Sequence, residues 1–383
     1  MLRPAEIGDE GCHATHEYGD SFSTMTISRR KFFRGAGAGA AAGALAAATP
    51  SQLVAQTPKA PKAAGLPPVW GEDFLYQWSP PENVKRDLTP GPNIIRLSNS
   101  SDITNREGTD YDALFKTMRA AGWTACEAAS AGWLARTMPD SEITEMKKQL
   151  KANDVYFYNI HCAGNIIAPG SEAEQWQRHI IDAIHAADAC GCKMVLTHTG
   201  SMYPGRDTAH PLNWSKEAWE KSVNALKNIC KATAGSKILV GIEPVNTEAI
   251  NNPWAMKRLR EDVGDSRIVC GLDITNMVNA GVAFRMTELM NTTFELLNGM
   301  IGYIHAKDFV WDGMLPGLNW AMNGTGNMDY EVFLAHISRM PDPIMYVEFL
   351  SSAEEYQQAQ RNIRAIAEKI GVRIHGTQQP QQA

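Results

Sequence analysis

An eight-stranded (β/α) barrel, an α/β fold, is what this 383-residue chain predicts, and three observations lead there. Apolar, often β-branched runs return about every 30 to 45 residues, the size of one βα unit. Amphipathic stretches fill the intervals between them. The runs are continuously apolar rather than alternating, as expected of parallel strands buried on both faces.

In chain order the strand candidates are NIIRLS (93–98), WTACEA (123–128), VYFYNIH (155–161), KMVLTH (193–198), KILVGIE ending at Glu243, RIVCGLD (267–273), GMIGYIH (299–305) and PIMYVE (343–348). Segments such as DYDALFKTMRAAG, SEITEMKKQLKAN, WEKSVNALKNICKA and AQRNIRAIAEKIG read as the connecting helices. An open doubly wound sheet would normally carry a glycine-rich first turn for a dinucleotide, and RLSNSSDITN has no glycine. Closure into a barrel also leaves no sheet edge. The barrel is expected over 93–370, followed by a disordered tail over 371–383.

Residues 1–55 read as an export region outside the fold. Arg29 and Arg30 precede a weakly apolar Ala/Gly stretch with small-residue cleavage sites near Ala48 or Ala55, the pattern of a twin-arginine signal. Translation starting at Met25 would give an ordinary signal n-region, MTISRRKFF. Residues 56–92, rich in Pro, Lys and Trp, read as a linker and an arm against the barrel. The implied destination is periplasmic or otherwise extracytoplasmic. No apolar run is long enough to span a bilayer, so no lasting membrane association is expected after export.

A net charge of −6 lacks the basic face that nucleic acid requires. The seven cysteines include one close pair, Cys190 and Cys192, and no paired C-x-x-C arrangement, so a structural zinc site is not expected.

The strand ends carry the chemistry. Strand five ends in Glu243, strand six in Asp273, strand seven in His305 and strand eight in Glu348. The C-terminal ends of barrel strands meet at one mouth, so these four side chains converge there. Three carboxylates without a partner would repel one another and be driven to protonate. One divalent metal ion removes that cost, and oxygen ligands with one imidazole suit Mn²⁺, Mg²⁺, Co²⁺ or Zn²⁺.

VGIEPVN, CGLDITNMVNAG, YIHAKDF, NGTGNMDY and YVEFL together resemble the signatures of the xylose isomerase-like TIM-barrel superfamily, in its sugar phosphate isomerase/epimerase branch. The resemblance covers about residues 93–370, and its most specific parts are the His-x-Lys-Asp motif and the Gly-x-Gly-x-x-Asp-Tyr loop. It implies that Glu243, Asp273, His305 and Glu348 bind one divalent metal and that the two glutamates form the acid/base pair. Proton transfer on opposite faces of an enediolate gives epimerisation, and relay between neighbouring carbons gives aldose–ketose isomerisation. A leaving group β to the carbanion would give elimination, hence the alternative of a lyase or dehydratase acting on a keto-sugar, keto-glycoside or cyclic polyol.

Around this centre, His161 and His198 end strands three and four and either bind substrate hydroxyls or serve as structural histidines. Lys307 either orients a substrate oxygen or neutralises Asp308. Asn276 stands where several relatives carry a substrate-contacting His. Trp311 and Trp320 either wall a sugar ring or anchor the loop 310–330, in which Asp329 is placed to cap the next helix. The Arg and extra Glu that ketose 3-epimerases use around the substrate have no clear counterpart, since Ala249 and Trp311 occupy the approximate positions.

The expected substrate is an unphosphorylated sugar or keto-sugar, since no dedicated phosphate cradle is visible and export favours free sugars. An apurinic endonuclease would need more histidines at the mouth, and a non-catalytic sugar-binding protein has no use for two opposed glutamates. A homo-oligomer is compatible with the sequence.

Overall fold

Residues two apart on a strand share a face, and here that spacing fills the barrel interior. Ala125, Tyr158, Met194, Leu196, Val269, Tyr303, Ile344 and Tyr346 form one buried cluster enclosed by the strands. Gly241, Gly271 and Gly302 leave room for Met194, Leu196 and Tyr303: a Cβ at Gly271 would meet Leu196 Cδ1 at 2.1 Å and the Tyr303 ring at 3.1 Å. The phenols are satisfied inside, Tyr158 donating to the Gly302 carbonyl at 2.7 Å and Tyr346 to the Cys126 carbonyl at 3.1 Å.

These features come from a computed structural model that describes residues 84–99, 103–206, 208–312 and 317–376. All lie in the compact unit Lys62–Ala383. The strands are β1 (Ile94–Ser98), β2 (Ala125–Ala129), β3 (Tyr156–Cys162), β4 (Met194–Thr197), β5 (Leu239–Ile242), β6 (Ile268–Asp273) and β7 (Ile301–Ala306). A hairpin of β8 (Asp308–Trp311) and β9 (Leu318–Ala321) follows, then β10 (Ile344–Val347) and β11 (Arg373–Ile374). Nine strands form one parallel sheet in the order β11-β1-β10-β7-β6-β5-β4-β3-β2. The Thr124 amide donates to the Leu97 carbonyl at 2.8 Å, so the sheet curls until β2 meets the end of β1.

The helices α1 (Tyr111–Ala120), α2 (Ser130–Trp133), α3 (Asp140–Ala152), α4 (Glu172–Cys190), α5 (Lys216–Ala232), α6 (Pro253–Val263), α7 (Met286–Leu296), α8 (Tyr330–Ile337) and α9 (Ala353–Lys369) alternate with the sheet strands. Several starts are fixed by side-chain caps, among them Asp110 on the Ala113 amide, Ser215 on the Ala218 amide and Asn252 on the Ala255 amide. Asp329 caps α8 at the Val332 amide, as the sequence leads one to expect.

Two expectations change. Residues 371–376 are not disordered tail, because Arg373 and Ile374 form β11 in parallel with Ile94 and Ile95 of β1. The segment 310–330 is not all loop: Phe309 pairs with Trp320 and Trp311 with Leu318 in the β8–β9 hairpin. The arm is described only from residue 84, where Arg86 clamps Asp329 at 2.6 Å and Glu331 at 2.9 Å. The export signal and the start at Met25 lie outside the described residues, as does most of the linker. Among the described residues no helix is long and apolar enough to cross a membrane.

Two outcomes follow from the packing. Gly271→Ala forces a methyl into Leu196 and Tyr303, and should lower unfolding free energy by about 1–3 kcal/mol in a denaturant titration. His336 stacks on Phe294 at 4.7 Å, and burial, helped by Arg339, lowers its pKa to about 4. An imidazole depressed below its unfolded value near 6.5 contributes fully above that pH and loses its contribution as pH falls towards 4. Unfolding measured across that window should therefore show a steeper loss in the wild type than in His336→Gln.

Candidate metal and acid/base centre

The site lies one step further along the same strand faces. Two residues beyond Leu196, Gly241, Gly271, Tyr303 and Tyr346 come His198, Glu243, Asp273, His305 and Glu348. The apolar layer thus becomes the floor of a polar one. Glu243, Asp273 and His305 are no more than 2% exposed and Glu348 is 9% exposed, so each needs a built-in partner.

His305 supplies the first link. Its Nδ1 lies 3.4 Å from Glu243 Oε2, and its Nε2 lies 3.1 Å from Glu348 Oε1 and 2.9 Å from the Tyr303 hydroxyl. Burial would lower the imidazole pKa, but the two carboxylates outweigh it and push it up to about 10. Lys307 supplies the second link, with Nζ 2.5 Å from Asp273 Oδ2, 3.1 Å from Glu348 Oε2 and 3.2 Å from Asn276 Oδ1. Asn276 closes the ring by donating to Glu243 Oε1 at 2.5 Å. Burial alone would raise the Glu243 pKa, yet His305, His198 and Lys307 hold it well below the usual carboxylate range.

The four residues expected to gather do so. Glu243, Asp273 and His305 offer ligand atoms within 4.8 Å of one another, a set able to hold a metal ion. Glu348 joins through His305 and Lys307 instead. Glu127 with His161 and His305, and His161 and His198 with Glu243, form two further sets of the same kind. The His161 Nε2 is buried without a hydrogen-bond partner, and burial lowers this ring's pKa well below 6.5. A neutral imidazole beside several carboxylates is a donor set that fits a hard divalent cation.

His198 spans two glutamates, with Nε2 3.5 Å from Glu243 Oε2 and Nδ1 3.5 Å from Glu248 Oε1. Glu248 is itself fixed by the Thr199 hydroxyl at 2.6 Å and the Gly200 amide at 2.7 Å. The sequence offers no clear counterpart of an extra Glu; Glu248, beside Ala249, is a buried carboxylate that nothing in the loop pattern marks. Glu127, 2% exposed and held by Asn159 at 2.9 Å, was also missed: it is the lone charge in ACEAA and stands in the middle of β2, not at its end.

Two assignments change. Lys307 pairs with Asp273 and Glu348, not Asp308; the Asp308 carboxylate instead accepts the amides of Phe309, Gly324, Gly326 and Met328 and ties the strand-seven loop together. Trp311 packs against Gly317 across the hairpin turn, where a Cβ would meet its ring at 2.5 Å. The ring near the centre is Trp320, 5.8 Å from Lys307 Nζ.

Residues 115–369 match the family described as Xylose isomerase-like TIM barrel. No curated protein matches the chain in sequence. Among solved structures, D-psicose 3-epimerase with D-tagatose from Clostridium cellulolyticum superposes with a TM-score of 0.54 at 11% identity, covering 73% of this chain and 99% of that one. Endonuclease IV from Thermus thermophilus gives 0.56 at 16% identity, covering 73% and 100%. The probable 3-DHS dehydratase involved in petrobactin synthesis from Bacillus anthracis gives 0.54 at 12% identity, covering 72% and 98%. Three chemistries on one backbone mean that these likenesses establish the fold, and the reaction has to be argued from side chains.

If the cluster holds a cation, calorimetric titration with Mn²⁺ should show saturable binding to the wild type. Asp273→Asn should weaken it by at least about tenfold, because a ligand oxygen and a charge are lost together.

Proposed function

The chain belongs to the xylose isomerase-like TIM-barrel family, and from that premise we propose that it is a divalent-metal-dependent isomerase or epimerase of an unphosphorylated sugar or keto-sugar. The observation that carries this reading is that Glu243 and Glu348 flank His305 from its two ring nitrogens, which leaves two carboxylates on different sides of one small space. A cation held by Glu243, Asp273, His305 and Glu348 would polarise the substrate oxygens beside the reacting carbon and so acidify its C–H bond.

The remaining work falls to this chain's own groups. His305, His198 and Lys307 keep Glu243 ionised, so it enters as the proton acceptor. Asn276 occupies its Oε1, leaving Oε2 to take the proton. Glu348, on the other side of the imidazole, delivers a proton taken up from solvent to the opposite face, and Glu243 releases its own to solvent, so that protons balance over one turnover. Lys307 Nζ steadies Glu348 and Asp273 and is the donor best placed to hold a substrate oxygen. Tyr303 fixes the His305 ring from below. The export signal read in residues 28–56, which would place the protein in the periplasm, supports a free rather than phosphorylated sugar.

Incubation with unphosphorylated ketoses in heavy water should incorporate deuterium at the carbon beside the carbonyl. Glu243→Gln and Glu348→Gln should each slow exchange by about 10²–10⁴-fold without loss of fold. Exchange confined to sugar phosphates would overturn the substrate reading, and a product with a new double bond would move the protein to the lyase class.

A further inference from the structure

Directly after Glu348 the backbone does something costly. Phe349 has φ +61°, in the left-handed region, where a bulky residue is a genuine outlier and glycine would be free of strain. Burial does not account for the choice of side chain, since Phe349 is 55% exposed. Trp320, reaching over from β9, is 45% exposed, and the two ring centroids lie 4.7 Å apart at 37°. Lys307 Nζ lies 4.2 Å from the Phe349 ring centroid and 3.1 Å from Glu348 Oε2, so the aromatic pair stands beside the acid/base centre. Two exposed rings, one on β9 and one just after β10 in a strained conformation, point to a recognition surface at the mouth.

Depth decides what that surface meets. The reacting carbon has to lie among Glu243, Asp273, His305 and Glu348, all 9% exposed or less, whereas the rings are about half exposed. They therefore contact a part of the substrate outside the reacting pocket. Its chemistry follows from theirs: a pyranose presents axial C–H groups on one face, and flat aromatic rings accept such a face while its hydroxyls stay in water. We propose that Trp320 and Phe349 form a platform for a second sugar ring, so that the substrate is a glycoside or disaccharide rather than a free monosaccharide. This rests on the sugar reading of the centre and narrows its substrate class.

The test separates binding from turnover. Mn²⁺-loaded wild type, Trp320→Ala, Trp320→Phe and Phe349→Ala are examined by saturation-transfer NMR and titration with cellobiose, maltose, lactose and trehalose, with glucose as the single-ring probe. Thermal melting verifies that each variant is folded. The wild type should bind at least one disaccharide about tenfold more tightly than glucose, with saturation passing from aromatic protons to sugar C–H groups. Trp320→Ala and Phe349→Ala should each remove most of that preference, and Trp320→Phe should restore part of it. A wild type that binds no disaccharide better than glucose, or alanine variants that keep the preference, would overturn the platform. Ring-dependent disaccharide binding with no deuterium exchange in any sugar would leave the platform standing and reject the proton-transfer function.

Discussion

Five carboxylates, those of Glu127, Glu243, Glu248, Asp273 and Glu348, line one barrel mouth, and the electrostatics of keeping them there governs what surrounds them. Each would be driven to protonate if buried beside the others without compensation. Lys307 bridges Asp273 and Glu348, His305 bridges Glu243 and Glu348, and His198 bridges Glu243 and Glu248. One ammonium and one raised imidazole still leave the set short of positive charge. That shortfall is the physical case for a divalent cation, and it arises from the side chains themselves.

The barrel interior is fitted to hold this arrangement still. Tyr303 packs edge-on against both His305 and Tyr346 at 5.0 Å while its hydroxyl meets His305 Nε2. A shift in the apolar layer would therefore be felt directly as a rotation of the imidazole between the two glutamates. The interior glycines belong to the same device: filling Gly241 or Gly271 would push Met194 or Leu196, and those lie on the strand that leads to His198. Core packing and site geometry are in this sense one constraint, set by the two-residue alternation of β-strands.

That alternation also explains how much could be read from sequence. The strands and the convergence of Glu243, Asp273, His305 and Glu348 were legible, because both follow from apolar runs and from where those runs stop. Glu127 escapes that rule because it lies in the middle of β2, with Ala128 and Ala129 still to come before the strand stops. Glu248, the partners of Lys307 and which of Trp311 and Trp320 stands beside the site were not legible. They depend on loop conformation: Asp308 collects four loop amides and so is spent on the backbone, which frees Lys307 for the site. A hairpin register that sets Trp311 opposite Leu318 and Phe309 opposite Trp320 decides which indole reaches the mouth. Such choices are made by tertiary contacts, and local periodicity carries no trace of them.

The loops after β7 and β10 have a further consequence for specificity. The deep groups are held by one another and would serve any substrate offering adjacent oxygens and an acidic C–H bond. Discrimination between substrates has to come from elements that the buried network does not already fix. Phe349 follows Glu348 with no intervening residue, and Trp320 belongs to the hairpin that begins immediately after Lys307. The chain thus places its adaptable, exposed surface within one or a few residues of its invariant-by-packing centre. A change of substrate can then be made at the rim without disturbing the charge balance below, which is how a barrel of this kind can host several chemistries on one backbone.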